Sequence, residues 1–154
     1  MTNTTEPLDA SVTLEDMKRH GAAVVRGTER AHVSIDLPFM SYEASDAEAV
    51  HSAGRLIRAG AQSVKLEGGV ERASRIASIV NAGIPVIGHI GVGPQTAALD
   101  RGFRRRTDRE RLLADADAVA NAGAFAVVLE MVDHAIAREI TERIPIPTIG
   151  IGSG

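Results

Sequence analysis

Three times in this chain a run with helical spacing ends in Ala-Gly and a short apolar stretch follows, at 59–60, 82–83 and 122–123. A glycine just past a helix end supplies the left-handed residue that turns the chain back into a strand. Repetition of helix, Ala-Gly, apolar strand and polar tip predicts successive βα units built on a parallel sheet. Helices are expected over 14–25, 46–57, 70–81, 108–121 and 133–143, and a helical turn over 94–99. Thr13 with Asp16, Ser45 with Glu48 and Thr107 with Glu110 have the spacing of N-terminal capping pairs. Strands are expected over 32–36, 63–67, 85–90, 125–129 and 147–151. They are short and mostly apolar, as strands covered on both faces should be. The fold class is α/β, with about five parallel strands.

The remaining composition narrows the function. At 154 residues the chain holds one domain, read as 11–154 behind a polar, flexible tail over 1–10. A net charge of −3 argues against a nucleic-acid surface. The lack of cysteine excludes a disulfide scaffold, a thiolate zinc site and a cysteine nucleophile. No apolar run approaches the roughly 18–20 residues of a membrane span, and the start has no signal-peptide character. The cytoplasm is the expected location, with no membrane partner.

In parallel α/β folds the chemistry gathers at the carboxyl ends of the strands. Those ends carry, in order, Asp36, Lys65 with Glu67, His89, Glu130 and the glycine-rich segment 150–154. Lys65 stands out because, of 17 basic residues, only it and Lys18 are lysines. Alternation along a strand puts 65 and 67 on one face, their Cα atoms about 6.5–7 Å apart. Such a pair is either a partly buried ion pair or a metal-binding carboxylate beside a cation for an anionic substrate. Acids with one histidine and no thiol favour an oxygen-liganded cation such as Mg²⁺, which takes one or two carboxylates. Asp36 and Glu67 suit that role. A metal polarising an α-keto acid also needs a base near the carbon that loses a proton, and Glu130 is the candidate. His89 is either a substrate hydrogen-bond donor or a satisfied structural histidine. His20, His32, His51 and His134 show no metal-ligand spacing. The segment 101–111 carries six arginines, read as a solvated loop or, less favoured, as an anion-capturing one. The segment 150–154 lacks a dinucleotide fingerprint and reads as a tight exit from the last strand.

The stretches 36–42 (DLPFMSY), 64–69 (VKLEGG), 88–92 with 94–95 (GHIGV, PQ), 128–130 (VLE) and 146–154 (IPTIGIGSG) resemble the ketopantoate hydroxymethyltransferase family. The similarity covers about residues 7 to 154. It implies a (βα)₈ TIM barrel of the phosphoenolpyruvate/pyruvate type, usually a large homo-oligomer. The implied reaction moves a hydroxymethyl group from 5,10-methylenetetrahydrofolate to 3-methyl-2-oxobutanoate with Mg²⁺, a step of pantothenate biosynthesis. By match, Asp36 and Glu67 would hold the metal, Asp36 and Lys65 would touch the keto acid, and Glu130 would accept the proton. His89 is carried as a further substrate-binding candidate.

Two departures stand beside the match. Family members carry an earlier strand ending in Gly-Asp-Ser, and no Gly-Asp dipeptide occurs here. The loop over 96–106 also differs from the family's glycine-rich pattern. A full barrel takes about 250 residues, so this stretch resembles its strands three to seven. A second copy or a complementing chain is expected to complete it. A non-catalytic interaction module and a related 2-oxo-acid lyase are the competing expectations.

Overall fold

The computed structural model describes residues 11–96 and 104–153. The tail expected over 1–10 and part of the turn expected over 94–99 lie outside them. In chain order the elements are α1 (Leu14–Gly27), β1 (Ser34–Asp36), α2 (Asp46–Arg58), β2 (Ser63–Glu67), α3 (Ala73–Asn81), β3 (Val86–Gly91), α4 (Arg109–Asn121), β4 (Ala126–Glu130), α5 (His134–Arg143) and β5 (Thr148–Ile151). The strands form one sheet in the order β1-β2-β3-β4-β5, every neighbouring pair parallel. Consecutive strands lie side by side with a helix between them, which is the pattern of a βα barrel wall. Glycines 60, 83 and 123 all have positive φ, so each Ala-Gly does make the predicted turn.

Alternation divides the sheet into two faces. Val64 and Leu66 of β2, Val86 and Ile90 of β3, and Val127 and Leu129 of β4 point toward the helices. There they join Leu56, Ile76, Ile79, Val119 and Ile140 in the main core. On the opposite face Ile87, Ala126 and Val128 form a separate small cluster. This is the face that also carries Lys65, Glu67, His89 and Glu130. Burial of the helix-facing set is what fixes which residues the strands turn the other way. Leu66→Ala, removing a side chain with no solvent exposure, is expected to lower unfolding free energy by about 2–5 kcal/mol. Urea denaturation reads this directly.

Local starts and stops follow recognisable chemistry. Thr13 and Asp16 form a reciprocal capping box on α1, and Ser45 Oγ accepts from Glu48 N at the start of α2. Two expectations need correction. The run expected as one helix over 70–81 is a 3₁₀ turn, Val70–Arg72, followed by α3. In place of a cap from its own start, Asp115 of α4 accepts from Val70 N at 3.0 Å. The N-cap of α4 is Asp108, which accepts from Arg111 N, rather than Thr107. The reason lies next door. Arg106 N donates to Met131 O at 2.7 Å and Arg106 O accepts from Asp133 N at 2.9 Å. That bridge to the exit of β4 keeps the backbone extended and delays the helix.

Candidate active site

Strand register sets the site out in tiers. Asp36 is paired with Lys65 across β1 and β2, Glu67 with His89 across β2 and β3, and Glu130 lies opposite Gly91 across β3 and β4. All five side chains line one cavity of about 350 Å³, together with Pro38, Gln95 and Ile151. The strand-tip residues picked out of the sequence, ninety-odd positions apart at the extremes, therefore meet in one place.

Their pairing differs from the simplest sequence reading. Lys65 does not form its ion pair with Glu67 on the same strand; its Nζ lies 2.8 Å from Asp36 Oδ2 on β1. The same ammonium donates to His89 Nδ1 at 3.3 Å. With Nδ1 accepting, the imidazole carries its proton on Nε2, which faces Glu130 Oε2 at 3.3 Å. Nε2 is thus close to a carboxylate yet makes no hydrogen bond. His89 is 3% exposed. Burial, and then the neighbouring Lys65 charge, push its pKa down to about 3, so the ring is neutral.

Glu67 is the other perturbed member. Burial raises its carboxyl to about 7, with Lys65 and the Gln95 amide opposing the shift and Asp36 and Glu130 adding to it. The Lys65 charge thus serves Asp36 directly and Glu67 at longer range. Glu67 Oε2 accepts from Gln95 N at 3.2 Å, and Gln95 Nε2 donates to Leu37 O at 2.8 Å. Tyr42, almost wholly buried, donates through its hydroxyl to Gln95 Oε1 at 3.1 Å and accepts from Glu67 N at 3.3 Å. Burial, followed by Glu43 and Glu67, drives the Tyr42 pKa far upward, so it stays a phenol. Gln95 and Tyr42 thus fix the Glu67 side chain and backbone. Sequence reasoning quoted both residues within matching stretches and gave neither a task.

Other candidates separate from the site. His32 Nε2 contacts Ser63 Oγ at 2.8 Å and its ring meets Phe125 edge-on, which makes it a packing residue. Ser153 is buried, donates to Leu129 O at 2.8 Å and accepts from Val132 N at 3.0 Å. The glycine-rich end of β5 therefore serves to pin the backbone on both sides of Glu130. Among the described residues no three His, Asp or Glu side chains are grouped to hold a metal. Two carboxylates, Asp36 and Glu67, share the cavity, which meets the count of protein ligands that Mg²⁺ ordinarily takes.

A parallel βα sheet with acids, a lysine and a buried neutral histidine gathered at its carboxyl rim is the architecture of a βα-barrel enzyme. Among solved structures, 2,3-dimethylmalate lyase, described as a PEP mutase/isocitrate lyase superfamily member, superposes with a TM-score of 0.67. It is 18% identical and is matched over 92% of this chain and 52% of its own. Phosphonopyruvate hydrolase, solved in complex with oxalate and Mg²⁺, superposes at 0.66 with 13% identity, over 92% of this chain and 53% of its own. Those likenesses establish the fold.

Sequence comparison is sharper. The family described as ketopantoate hydroxymethyltransferase matches residues 1–154, and the chain belongs to that family. The 3-methyl-2-oxobutanoate hydroxymethyltransferase of Carboxydothermus hydrogenoformans is 54% identical over 148 residues, covering 93% of this chain and 54% of that protein. The namesake from Chloroflexus aurantiacus is 56% identical over 147 residues, covering 93% and 52%. The one from Pyrobaculum islandicum is 51% identical over 152 residues, covering 96% and 58%. The chain spans about half the length of the curated relatives it matches.

Proposed function

We propose that this chain carries the keto-acid half of a hydroxymethyltransferase site that joins a one-carbon unit from 5,10-methylenetetrahydrofolate to C3 of 3-methyl-2-oxobutanoate. The observation carrying the proposal is the single cavity that holds Asp36, Lys65, Glu67, His89 and Glu130 together. The relatives' names favour this reading over a lyase or a non-catalytic module.

The Lys65 ammonium, 2.8 Å from Asp36, is placed to bind the carboxylate of the keto acid. Asp36 and Glu67 present hard oxygen donors to one cavity, and a divalent cation fits such a pair. When bound there, Mg²⁺ would act as a Lewis acid toward the keto oxygen. Glu130 takes the proton from C3 as general base. The electron pair of that C–H bond then forms the new bond to the donor's methylene carbon. Cleavage of the donor's carbon–nitrogen bonds and addition of one water leave tetrahydrofolate and the hydroxymethylated acid. His89, neutral and buried, keeps its Nε2 proton toward Glu130 and turns the Lys65 charge away from it. Apolar Val128 and Ile151 in the same cavity suit a branched aliphatic acid.

On the sheet's outer edge Ile149 and Ile151 of β5 are 46% and 50% exposed. That edge is where further barrel strands, from a second copy or another polypeptide, would pair. Among the described residues no helix is long and apolar enough to cross a membrane.

Incubation of the protein with 3-methyl-2-oxobutanoate and Mg²⁺ in D₂O is expected to exchange the C3 proton, visible as loss of its NMR signal. Addition of methylenetetrahydrofolate should then yield the hydroxymethylated acid. Neither exchange nor product, alone or with a complementing barrel fragment, would overturn the proposal.

A further inference from the structure

Gln95, in the loop that follows β3, reaches across the carboxyl rim of the sheet in two directions. Its backbone N–H donates to Glu67 Oε2 at 3.2 Å, at the end of β2. Its side-chain Nε2 donates to Leu37 O at 2.8 Å, next to Asp36 at the exit of β1. One residue therefore holds the Glu67 carboxylate and the peptide beside Asp36, and bridges the exits of three neighbouring strands. Both ends are anchored. Leu37 has no solvent exposure, and its N–H donates to Lys65 O at 2.8 Å. The loop lies directly on the carboxylate, since a Cβ on Gly93 would stand 2.6 Å from Glu67 Oε2.

The direction of each bond follows from the groups involved. A peptide carbonyl only accepts, so the Gln95 amide must turn its nitrogen to Leu37 O. Its oxygen is then left for Tyr42, whose hydroxyl donates to Gln95 Oε1 at 3.1 Å and accepts from Glu67 N at 3.3 Å. Glu67 N, the Tyr42 hydroxyl, Gln95 and the Glu67 carboxylate thereby close a ring. Arg75 of α3 holds the loop that carries Tyr42 from outside. It donates to Tyr42 O at 3.3 Å, to Glu43 O at 2.9 Å and to Asp46 Oδ1 at 2.7 Å.

Resting on the function proposed above, in which Asp36 and Glu67 take the cation, we propose that Gln95 is a positioning residue for that pair. It sets the spacing of the two carboxylates and so gives the site its preference for a small divalent cation. Mg²⁺ binds oxygen at about 2.0–2.1 Å in near-octahedral geometry, whereas Ca²⁺ accepts about 2.3–2.6 Å and irregular shells. Two carboxylates held at a fixed separation favour the small ion, and two that drift lose it first. Hydrogen-bonded partners of ligating carboxylates ordinarily contribute about 10–100-fold in affinity.

Mn²⁺ binding to the full chain, read from the free-ion electron paramagnetic resonance signal and displaced by Mg²⁺ or by Ca²⁺, measures both affinities. Gln95→Met keeps the length of the side chain and removes both of its hydrogen bonds. It is expected to weaken Mg²⁺ about tenfold or more and Ca²⁺ by less than about threefold. The ratio of the two affinities does not depend on the folded fraction, so a variant that folds poorly is still read. Thr96→Ala is the control. Thr96 is an exposed residue of the same loop whose hydroxyl donates to Gly93 O at 3.5 Å, and its variant should bind both ions as the parent does. Equal losses for the two ions, an unchanged Mg²⁺ affinity in Gln95→Met, the same change in Thr96→Ala, or a parent that binds no Mg²⁺ would each overturn the inference. C3 proton exchange by the parent is scored separately. Exchange by the parent, with Gln95→Met keeping the Mg²⁺ preference, sinks this inference and leaves the proposed function standing. A lost preference with no exchange by the parent does the reverse.

Discussion

Glu130→Gln is expected to slow C3 proton exchange by about 10³-fold, within the range general-base catalysis ordinarily contributes. The amide matches the carboxylate in shape, so the loss would be that of a proton acceptor and not of packing. Glu130 ends β4, whose preceding residues Val127 and Leu129 are anchored in the main core. Its backbone is held on both sides: Val92 N donates to Glu130 O at 2.9 Å, and Ser153 bonds the neighbouring Leu129 O and Val132 N. The variant should therefore melt close to the parent. Binding of the keto acid, measured by calorimetry with Mg²⁺ present, should also survive, because Lys65, Asp36 and Glu67 are untouched. An exchange rate within tenfold of the parent would mean that Glu67 or Asp36 removes the proton instead.

Glu67 is the carboxylate of the pair proposed for the cation. Glu67 is fixed by the Gln95 amide through its carboxylate and by Tyr42 through its backbone, and it sits beside Asp36 with a carboxyl raised mainly by burial. A side chain held this firmly among other acids suits charge presentation to a cation. Glu130 stands one tier further along the sheet, opposite Gly91, with the neutral imidazole edge at 3.3 Å. The two carboxylates thus stand at different tiers of the sheet, Glu67 opposite His89 and Glu130 opposite Gly91.

How far these features could be read without coordinates depends on how local their causes are. The alternation of Val64, Lys65, Leu66 and Glu67 sets one face against the other within a single strand, and the Ala-Gly turns act over two residues. The caps at Thr13 and Ser45 act over three. All of these were legible. The partner of Lys65 was not, because the ammonium chose Asp36 on the neighbouring strand, and register between strands leaves no mark in either one alone. Tyr42, Gln95 and Leu37 are joined by bonds that span up to 58 positions; their residue types have many commoner uses. The shift of the α4 cap from Thr107 to Asp108 has the same origin, since the bridge from Arg106 to the end of β4 comes from the far side of a helix. Asp115 in turn caps a turn that lies 45 positions earlier.

Gly91→Ala is expected to cost about 3 kcal/mol or more, and to take exchange activity down with it. Gly91 ends β3 with φ near +100°, a conformation that costs an L residue about 1–2 kcal/mol. A Cβ there would stand 2.2 Å from Glu130 O and 2.9 Å from a Val132 methyl. The first of these neighbours is backbone, which cannot rotate aside; relief requires β3 and β4 to separate where Glu130 is held. Overpacking of this kind adds about 1–3 kcal/mol. Gly83→Ala supplies the control. Gly83 also has positive φ, near +84°, yet a Cβ there meets nothing within 4 Å, so only the backbone penalty should remain. Urea denaturation of both variants isolates the crowding contribution as their difference. If the two lose the same stability, the close approach of β3 to the Glu130 carbonyl does not constrain the site, and activity in the Gly91 variant should persist. A larger loss at Gly91, accompanied by slower exchange, would tie the geometry of the base to a position where the chain admits no side chain.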